Sequence, residues 1–232
     1  MEKVEIGSPQ KKLSMGVSCI DSLLMGGLES GIVTEIYGEG GSGKTNLALL
    51  FSISCIRQGK RVIYIDTEGV SSERLAQVSA GTEKLSDNLI LYRINSLEDQ
   101  EMAIMRCERL MERYGNVGLI AIDSFTEYFR LEKTSDVAAR ISGFQKQLSH
   151  LTRIILKFNI PALIINQVYQ DVDSGVLQPF GGYVIDHAMK SILEVRKIDN
   201  GKRRLVVMKH RSIGEGQSTD FRIVSYGISC EA

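Results

Sequence analysis

The chain has no tryptophan, only three prolines and three histidines, and no surplus of either charge: 28 lysines and arginines face 28 aspartates and glutamates. That balance excludes bulk electrostatic attraction to nucleic acid or an anionic membrane, so any such contact must come from a local patch. No apolar run is long enough to span a bilayer and no charged-then-apolar leader is present, which predicts a soluble, cytoplasmic chain. The four cysteines, Cys19, Cys55, Cys107 and Cys230, lie far apart, without metal-ligand spacing or a paired framework. They read as reduced thiols of a cytosolic protein. Low-complexity tracts and internal repeats are also missing.

What is present is an alternation of strand and helix patterns over 232 residues that are 43% hydrophobic, enough for a sizeable core. It predicts an α/β domain with a mostly parallel twisted sheet flanked by helices. Strands are expected at Gly31–Tyr37, Arg61–Asp66, Asn88–Ile94, Val117–Asp123 and Pro161–Asn166, with helices from Lys44 to about Gln58 and from Ser96 to about Tyr114. A long helix follows from the stripe Val137, Ile141, Phe144, Leu148, Leu151, Ile155 and Phe158, spaced by four and three residues as a core face requires. Asp199-Asn200-Gly201, between two apolar runs, predicts a C-terminal antiparallel hairpin, and "DFRIVSYGIS" one last strand. Residues 1–13 read as a short tail and 14–232 as the core domain. From Gln167 to Gly182 neither period is visible, and a compact domain seldom keeps so long a stretch without a function for it.

"GEGGSGKT", Gly38 to Thr45, fills every fixed position of the P-loop pattern between a strand and a helix. Gly38, Gly40, Gly41 and Gly43, with Glu39 and Ser42 between them, let backbone N–H groups curl around phosphate oxygens at a helix N-terminus. Lys44 can reach the β- and γ-phosphates, and the Thr45 hydroxyl can ligate Mg²⁺. Asp123, at the end of a buried strand, is the candidate second Mg²⁺ group. Glu68, after the "YID" strand, is placed to orient and deprotonate water. The expected cofactors are ATP and Mg²⁺.

"YGEGGSGKTNLAL", "YIDTEG", "SERL", "LIAIDS", "IINQV" and "GGYVIDHA" occur in order over residues 14–226, and together they resemble the ATPase core of the RecA/RadA recombinase superfamily. The chain is most similar to its short archaeal paralogues, which lack the N-terminal DNA-binding domain and polymerisation element of the recombinases proper. The resemblance implies a RecA-like core, and it answers what the aperiodic stretch is for: in this superfamily it is the second DNA-binding loop. Gln167 matches the γ-phosphate-sensing glutamine at its root. His187 matches a histidine at its far end that approaches the neighbouring subunit's ATP, although by its residues alone an interface or core role is open. Asn46 continues the nucleotide site, Arg74 matches an arginine that packs on adenine, and Arg130 lies at the start of the first DNA-binding loop.

The departures are informative. Between Gln167 and Asp186 the second loop carries no lysine or arginine, so it would have to bind DNA through backbone amides or by stacking bases on Tyr169, Phe180 or Tyr183. The first loop is trimmed, and the cap that closes over ATP in a neighbouring recombinase subunit is not preserved. A basic cluster around the hairpin, including Lys202 and Arg204 on one face and Arg203 on the other, admits two readings: a DNA-backbone surface or a solvated edge that discourages pairing. The resemblance implies a DNA repair and recombination accessory with weak ATPase activity. It would bind single-stranded DNA modestly and modulate the main recombinase or a Holliday junction resolvase, with homo-oligomers open. An autonomous DNA-dependent strand exchanger and a KaiC-like signalling ATPase are the alternatives.

Overall fold

The computed structural model describes residues 11–131, 137–170, 177–179 and 189–230. A short antiparallel pair, β1 (Lys12–Leu13) and β2 (Leu28–Glu29), brackets α1 (Ser18–Leu23). Asp21 fixes the turn into this helix by accepting from the amides of Met15 and Gly16 and from the Ser14 hydroxyl. The segment expected to be a plain tail thus contributes a strand.

The central sheet is built from β3 (Val33–Gly38), β4 (Arg61–Asp66), β5 (Leu89–Arg93), β6 (Val117–Asp123) and β7 (Ala162–Gln170). It continues through β9 (Ser191–Lys197), β10 (Lys202–His210), β11 (Ser218–Val224) and β12 (Gly227–Cys230), while β8 (Leu177–Pro179) pairs back on β7. The order is β12-β11-β10-β9-β3-β7-β6-β4-β5. From β9 to β5 neighbouring strands are parallel, and from β9 to β12 antiparallel. This is the predicted sheet with its C-terminal extension. Two details differ. The expected single last strand is two, because Ser225 and Tyr226 form a turn ahead of Gly227, whose φ of 142° favours glycine. The strand expected to stop at Asn166 runs to Gln170 and is met by β8, since backbone pairing needs no side-chain periodicity.

Helices cover both faces. α2 (Lys44–Arg57) lies against Leu163, Ile165, Val62, Tyr64 and Leu119 on one side. α5 (Leu97–Tyr114), α6 (Glu127–Leu131) and α7 (Val137–Phe158) cover Ile63, Ile65, Ile120, Ile122 and Ile164 on the other. Residues 119–122 of β6 alternate between the two clusters, which is why "VGLIAID" is apolar up to its closing Asp123. The α7 stripe is a core face as expected, with Phe144, Leu148, Leu151 and Ile155 buried. α3 (Ser72–Val78) and α4 (Leu85–Asn88) lie between β4 and β5. The Ser96 hydroxyl caps α5 by accepting from the Asp99 amide.

The cysteines correct the sequence reading. Cys55 and Cys107 are free and buried, but Cys19 and Cys230 form a disulfide joining α1 to β12 across 211 residues of sequence. Linear spacing gives no sign of it, because the pairing exists only once β12 has reached the outer edge of the sheet beside α1. Among the described residues, no helix is long and apolar enough to cross a membrane.

Candidate nucleotide-binding site

The sheet register brings the functional side chains to one edge. Gly38 pairs with Gln167 on β7, and Asp66 pairs with Asp123 on β6, all at carboxyl ends of parallel strands. Gly38 passes so close to β9 that a Cβ there would lie 2.3 Å from the Val195 carbonyl oxygen. Gly43, at φ 108°, caps α2, and a Cβ there would meet Ile223 at 2.6 Å. Gly38 is demanded by close approach to backbone as well as by conformation, and Gly43 by its positive φ. The loop between them leaves the first amides of α2 without intrahelical partners, as every helix start does.

Lys44 is buried and donates to the Gly38 and Glu39 carbonyls, 2.8 Å each. Burial lowers its pKa, while Glu68 and Asp123 act in the opposite direction. Asp123 is buried too. Its Oδ2 accepts from the Tyr64 hydroxyl at 2.8 Å, it is hydrogen-bonded to Thr45, and its Oδ1 has no partner. Desolvation pushes its carboxyl up to about 6 despite those two bonds. A carboxylate oxygen held in the interior without a donor is suited to a cation. The buried Ser42 hydroxyl likewise has no partner.

Glu68 is placed by its turn. The Asp66 carboxylate accepts from the amides of Gly69 and Val70, both at 2.8 Å. Thr67 is stitched to β6: its amide donates to the Asp123 carbonyl, its hydroxyl donates to the Ser124 carbonyl, and its Oγ1 accepts from the Ser124 amide. The Glu68 carboxylate then accepts from the Gln167 side-chain amide at 2.7 Å, and the Gln167 oxygen accepts from Arg130 at 2.7 Å. Glu68, Asp123, Gln167, Lys44 and Thr45 line one cavity of about 160 Å³, with Asn46 and the glycines of the loop.

Arg74 is engaged with protein. It donates to Asn46 Oδ1 at 2.5 Å and to the Val224, Ser225 and Gly227 carbonyls, tying α3 to the β11–β12 turn beside the first turn of α2. Arg203 braces the P-loop, donating to the Ser42 carbonyl at 3.1 Å and to the Gly41 carbonyl at 3.5 Å. The hairpin faces are as alternation predicts, and Arg204 on the opposite face is bidentate to Asp220, at 2.6 and 2.8 Å. Lys202 is at the start of β10, half-buried. Phe180, Tyr183 and His187 lie outside the described residues, and Tyr169 is near the end of β7.

Sequence reasoning missed Tyr64, Asp66 and Thr67, and it named Arg203 only within the basic cluster of the hairpin, not as a brace of the P-loop. A tyrosine inside an otherwise apolar strand needs a hydroxyl partner, and an Asp three residues before a Gly signals a side-chain-capped turn, so the first two had local signals. Arg203 had none, because its partners are 161 and 162 residues away.

A parallel sheet with a glycine loop opening α2, and acids at the ends of β4 and β6, defines a RecA-like P-loop protein. The comparisons narrow this. The chain belongs to the Rad51 family, whose model matches residues 10–231. It is 51% identical over 231 residues to the DNA repair and recombination protein RadB of Thermoplasma acidophilum, covering both chains in full. It is 40% identical to the Archaeoglobus fulgidus protein of that name, over 92% of this chain and 96% of that one. Among solved structures, "Crystal structure of the RadB recombinase" matches with a TM-score of 0.81 at 34% identity, covering 95% of this chain and all of the other.

Proposed function

We propose that this chain is a nucleotide-gated accessory of DNA repair and recombination, binding ATP with Mg²⁺ and hydrolysing it slowly. The observation that carries the reading is Asp123 Oδ1: a buried carboxylate oxygen without a donor, in the cavity that also holds Lys44, Thr45, Glu68 and Gln167. Thr45 and Asp123 would hold the metal, whose charge would offset that of the β- and γ-phosphates. Lys44, already desolvated, would exchange its two loop carbonyls for phosphate oxygens. The loop amides and the start of α2 would hold the remaining phosphate charge. Glu68 would take a proton from attacking water, and Gln167 would donate its amide to the γ-phosphate. Arg74, with Asn46, would form the wall beside the base.

Single-stranded DNA would meet the edge bearing Arg130 and the chain beyond Gln167, where Tyr169, Phe180 and Tyr183 would offer stacking surfaces and His187 would report to a neighbouring copy. The hairpin, with Lys202 and Arg204, would contribute less, because Arg204 is already neutralised by Asp220. The partners would be the main recombinase and a Holliday junction resolvase. ATP hydrolysis with and without saturating single-stranded DNA, with Glu68→Gln as control, tests the reading. Tight ATP binding with slow hydrolysis supports the accessory. Strong DNA stimulation abolished in the variant would favour an autonomous strand exchanger, and failure to bind ATP would end both readings.

A further inference from the structure

We propose that Arg203 is a positioning residue for the nucleotide: from the C-terminal hairpin it turns the P-loop peptide unit that carries the Gly43 amide, so that this N–H faces the cavity as a donor to the β-phosphate. The inference deepens the proposed function and rests on its assignment of that cavity to ATP. Arg203 belongs to the basic cluster of the hairpin, but it is on the inner face. It stands opposite Phe221 across the β10–β11 ladder, and Phe221 is buried in the core cluster with Leu47 and Phe51 of α2. From there the guanidinium donates to backbone oxygens: Nε to the Ser42 carbonyl at 3.1 Å, Nη2 to the Gly41 carbonyl at 3.5 Å and Nη1 to the Lys202 carbonyl at 3.0 Å. Among the described residues no carboxylate pairs with it, whereas Arg204 is matched by Asp220 and Arg196 by Glu194. Its charge is therefore not cancelled by a direct partner.

A trans peptide unit sets its C=O and its N–H on opposite sides. With the Ser42 oxygen drawn out to Arg203, the Gly43 N–H of the same unit turns the other way, into the cavity that Gly43 lines with Lys44 and Thr45. The preceding unit is held at both ends, because the Gly41 oxygen faces Arg203 while the Ser42 amide donates to the Glu39 carbonyl at 3.1 Å. Such holding is needed here. Gly41 and Gly43 have φ of 69° and 108°, and glycine moves through these regions at little cost. A flip of the Ser42–Gly43 unit would aim a carbonyl oxygen at the phosphates and repel them. Arg203 disfavours that alternative, so the donor is in place before the ligand arrives.

The bonds at the two ends of one peptide unit also strengthen each other. A guanidinium on the oxygen polarises the unit and makes its N–H a better donor to an anion. P-loop amides cradle the α- and β-phosphates, which ADP and ATP share. Loss of Arg203 therefore weakens both nucleotides alike. Cleavage takes place at the γ-phosphate, so the interaction is made equally in the bound and reacting states and belongs to affinity rather than to rate.

The test is the affinity of the full chain for fluorescent analogues of ATP and ADP, beside single-turnover hydrolysis at saturating ATP and oligo(dT) binding without nucleotide. Wild type is compared with Arg203→Met, which keeps the aliphatic stem, and with Arg203→Lys, which keeps the charge but not the fork of donors. Arg203→Met should weaken ATP and ADP by the same factor, roughly tenfold for one bond to a charged group. The rate at saturation should fall by less than about twofold, and oligo(dT) affinity should be unaltered. Arg203→Lys should recover part of the loss; should Arg203→Met not fold, an equal weakening of both nucleotides in Arg203→Lys is expected and none overturns the proposal. A loss confined to ATP overturns it too, since the contact would then be to the γ-phosphate. A rate at saturation that falls as far as the affinity would make Arg203 a purely structural brace. Weakened oligo(dT) binding with nucleotide affinity intact would return it to a DNA surface, and either result sinks the proposal. If wild type binds neither nucleotide, the nucleotide reading fails and takes this inference with it. If wild type binds both and Arg203→Met matches it, only this inference fails.

Discussion

Tyr64 on β4 donates its hydroxyl to the Asp123 carboxylate on β6 at 2.8 Å, and neither side chain has water to fall back on. Burial raises the tyrosine hydroxyl well above its ordinary range, and the adjacent Asp123 charge raises it further, so it remains a donor. The bond therefore aims one carboxylate oxygen at β4 and leaves Oδ1 for the cavity. Tyr64→Phe should keep the fold and weaken Mg²⁺-dependent ATP binding by roughly 10- to 100-fold, in line with the roughly 1.5–3 kcal/mol of a hydrogen bond to a charged group. Calorimetric titration with and without Mg²⁺ checks this; a loss of the same size in both conditions would assign Tyr64 a purely structural role.

Asp123 also sets a pH dependence. Its carboxyl, raised from 3.8 to about 6 chiefly by burial, binds its proton more tightly folded than unfolded. Its contribution to stability is therefore full below about pH 4 and is lost as pH rises through about 6. Asp123→Asn should accordingly stabilise the nucleotide-free protein at pH 7.5, by on the order of 1–2 kcal/mol once the cost of a buried amide is counted, and not at pH 4. It should at the same time abolish Mg²⁺-dependent binding. Denaturant unfolding at the two pH values separates these outcomes.

The Cys19–Cys230 bridge closes nearly the whole chain into one loop, which the chain-entropy argument credits with about 5 kcal/mol. Reduction, or Cys19→Ser with Cys230→Ser, should lower the thermal midpoint by several degrees while leaving the buried Cys55 and Cys107 unreactive. Thiol titration before and after unfolding counts the free groups. Four reactive thiols in the unreduced, unfolded protein would show that the bridge does not form.

Gly38 has no room for a side chain, since the Val195 carbonyl lies 2.3 Å from where a Cβ would be. Gly38→Ala should cost at least about 2 kcal/mol and reduce ATP affinity with it, because β9 and the P-loop must part. Gly40, with open space around it and no positive φ, should accept alanine with little loss of stability. Paired melting curves decide between them.

Arg204 is already bidentate to Asp220. Arg204→Ala should change single-strand affinity by less than about twofold and leave the salt slope unaltered. A slope reduced by about one would show that phosphate displaces Asp220 and that the hairpin is a DNA surface.

Most of the sheet, its two helical layers and the P-loop are legible in the residues, because these are written in local patterns. Residues of β6 are apolar up to Asp123 at its end, α7 repeats at helical spacing, and glycines stand where the backbone must curl. Ordered motifs also placed Asp123, Glu68 and Gln167 at the carboxyl edge. Which groups touch depends on the assembled fold. Tyr64 meets Asp123 from 59 residues away, Gln167 meets Glu68 from 99, and Arg203 reaches the P-loop from more than 160. The disulfide spans 211 residues. Side-chain hydrogen bonds between strands depend on sheet order and register, and those are settled by how the whole chain buries its apolar faces, which no short stretch of residues specifies.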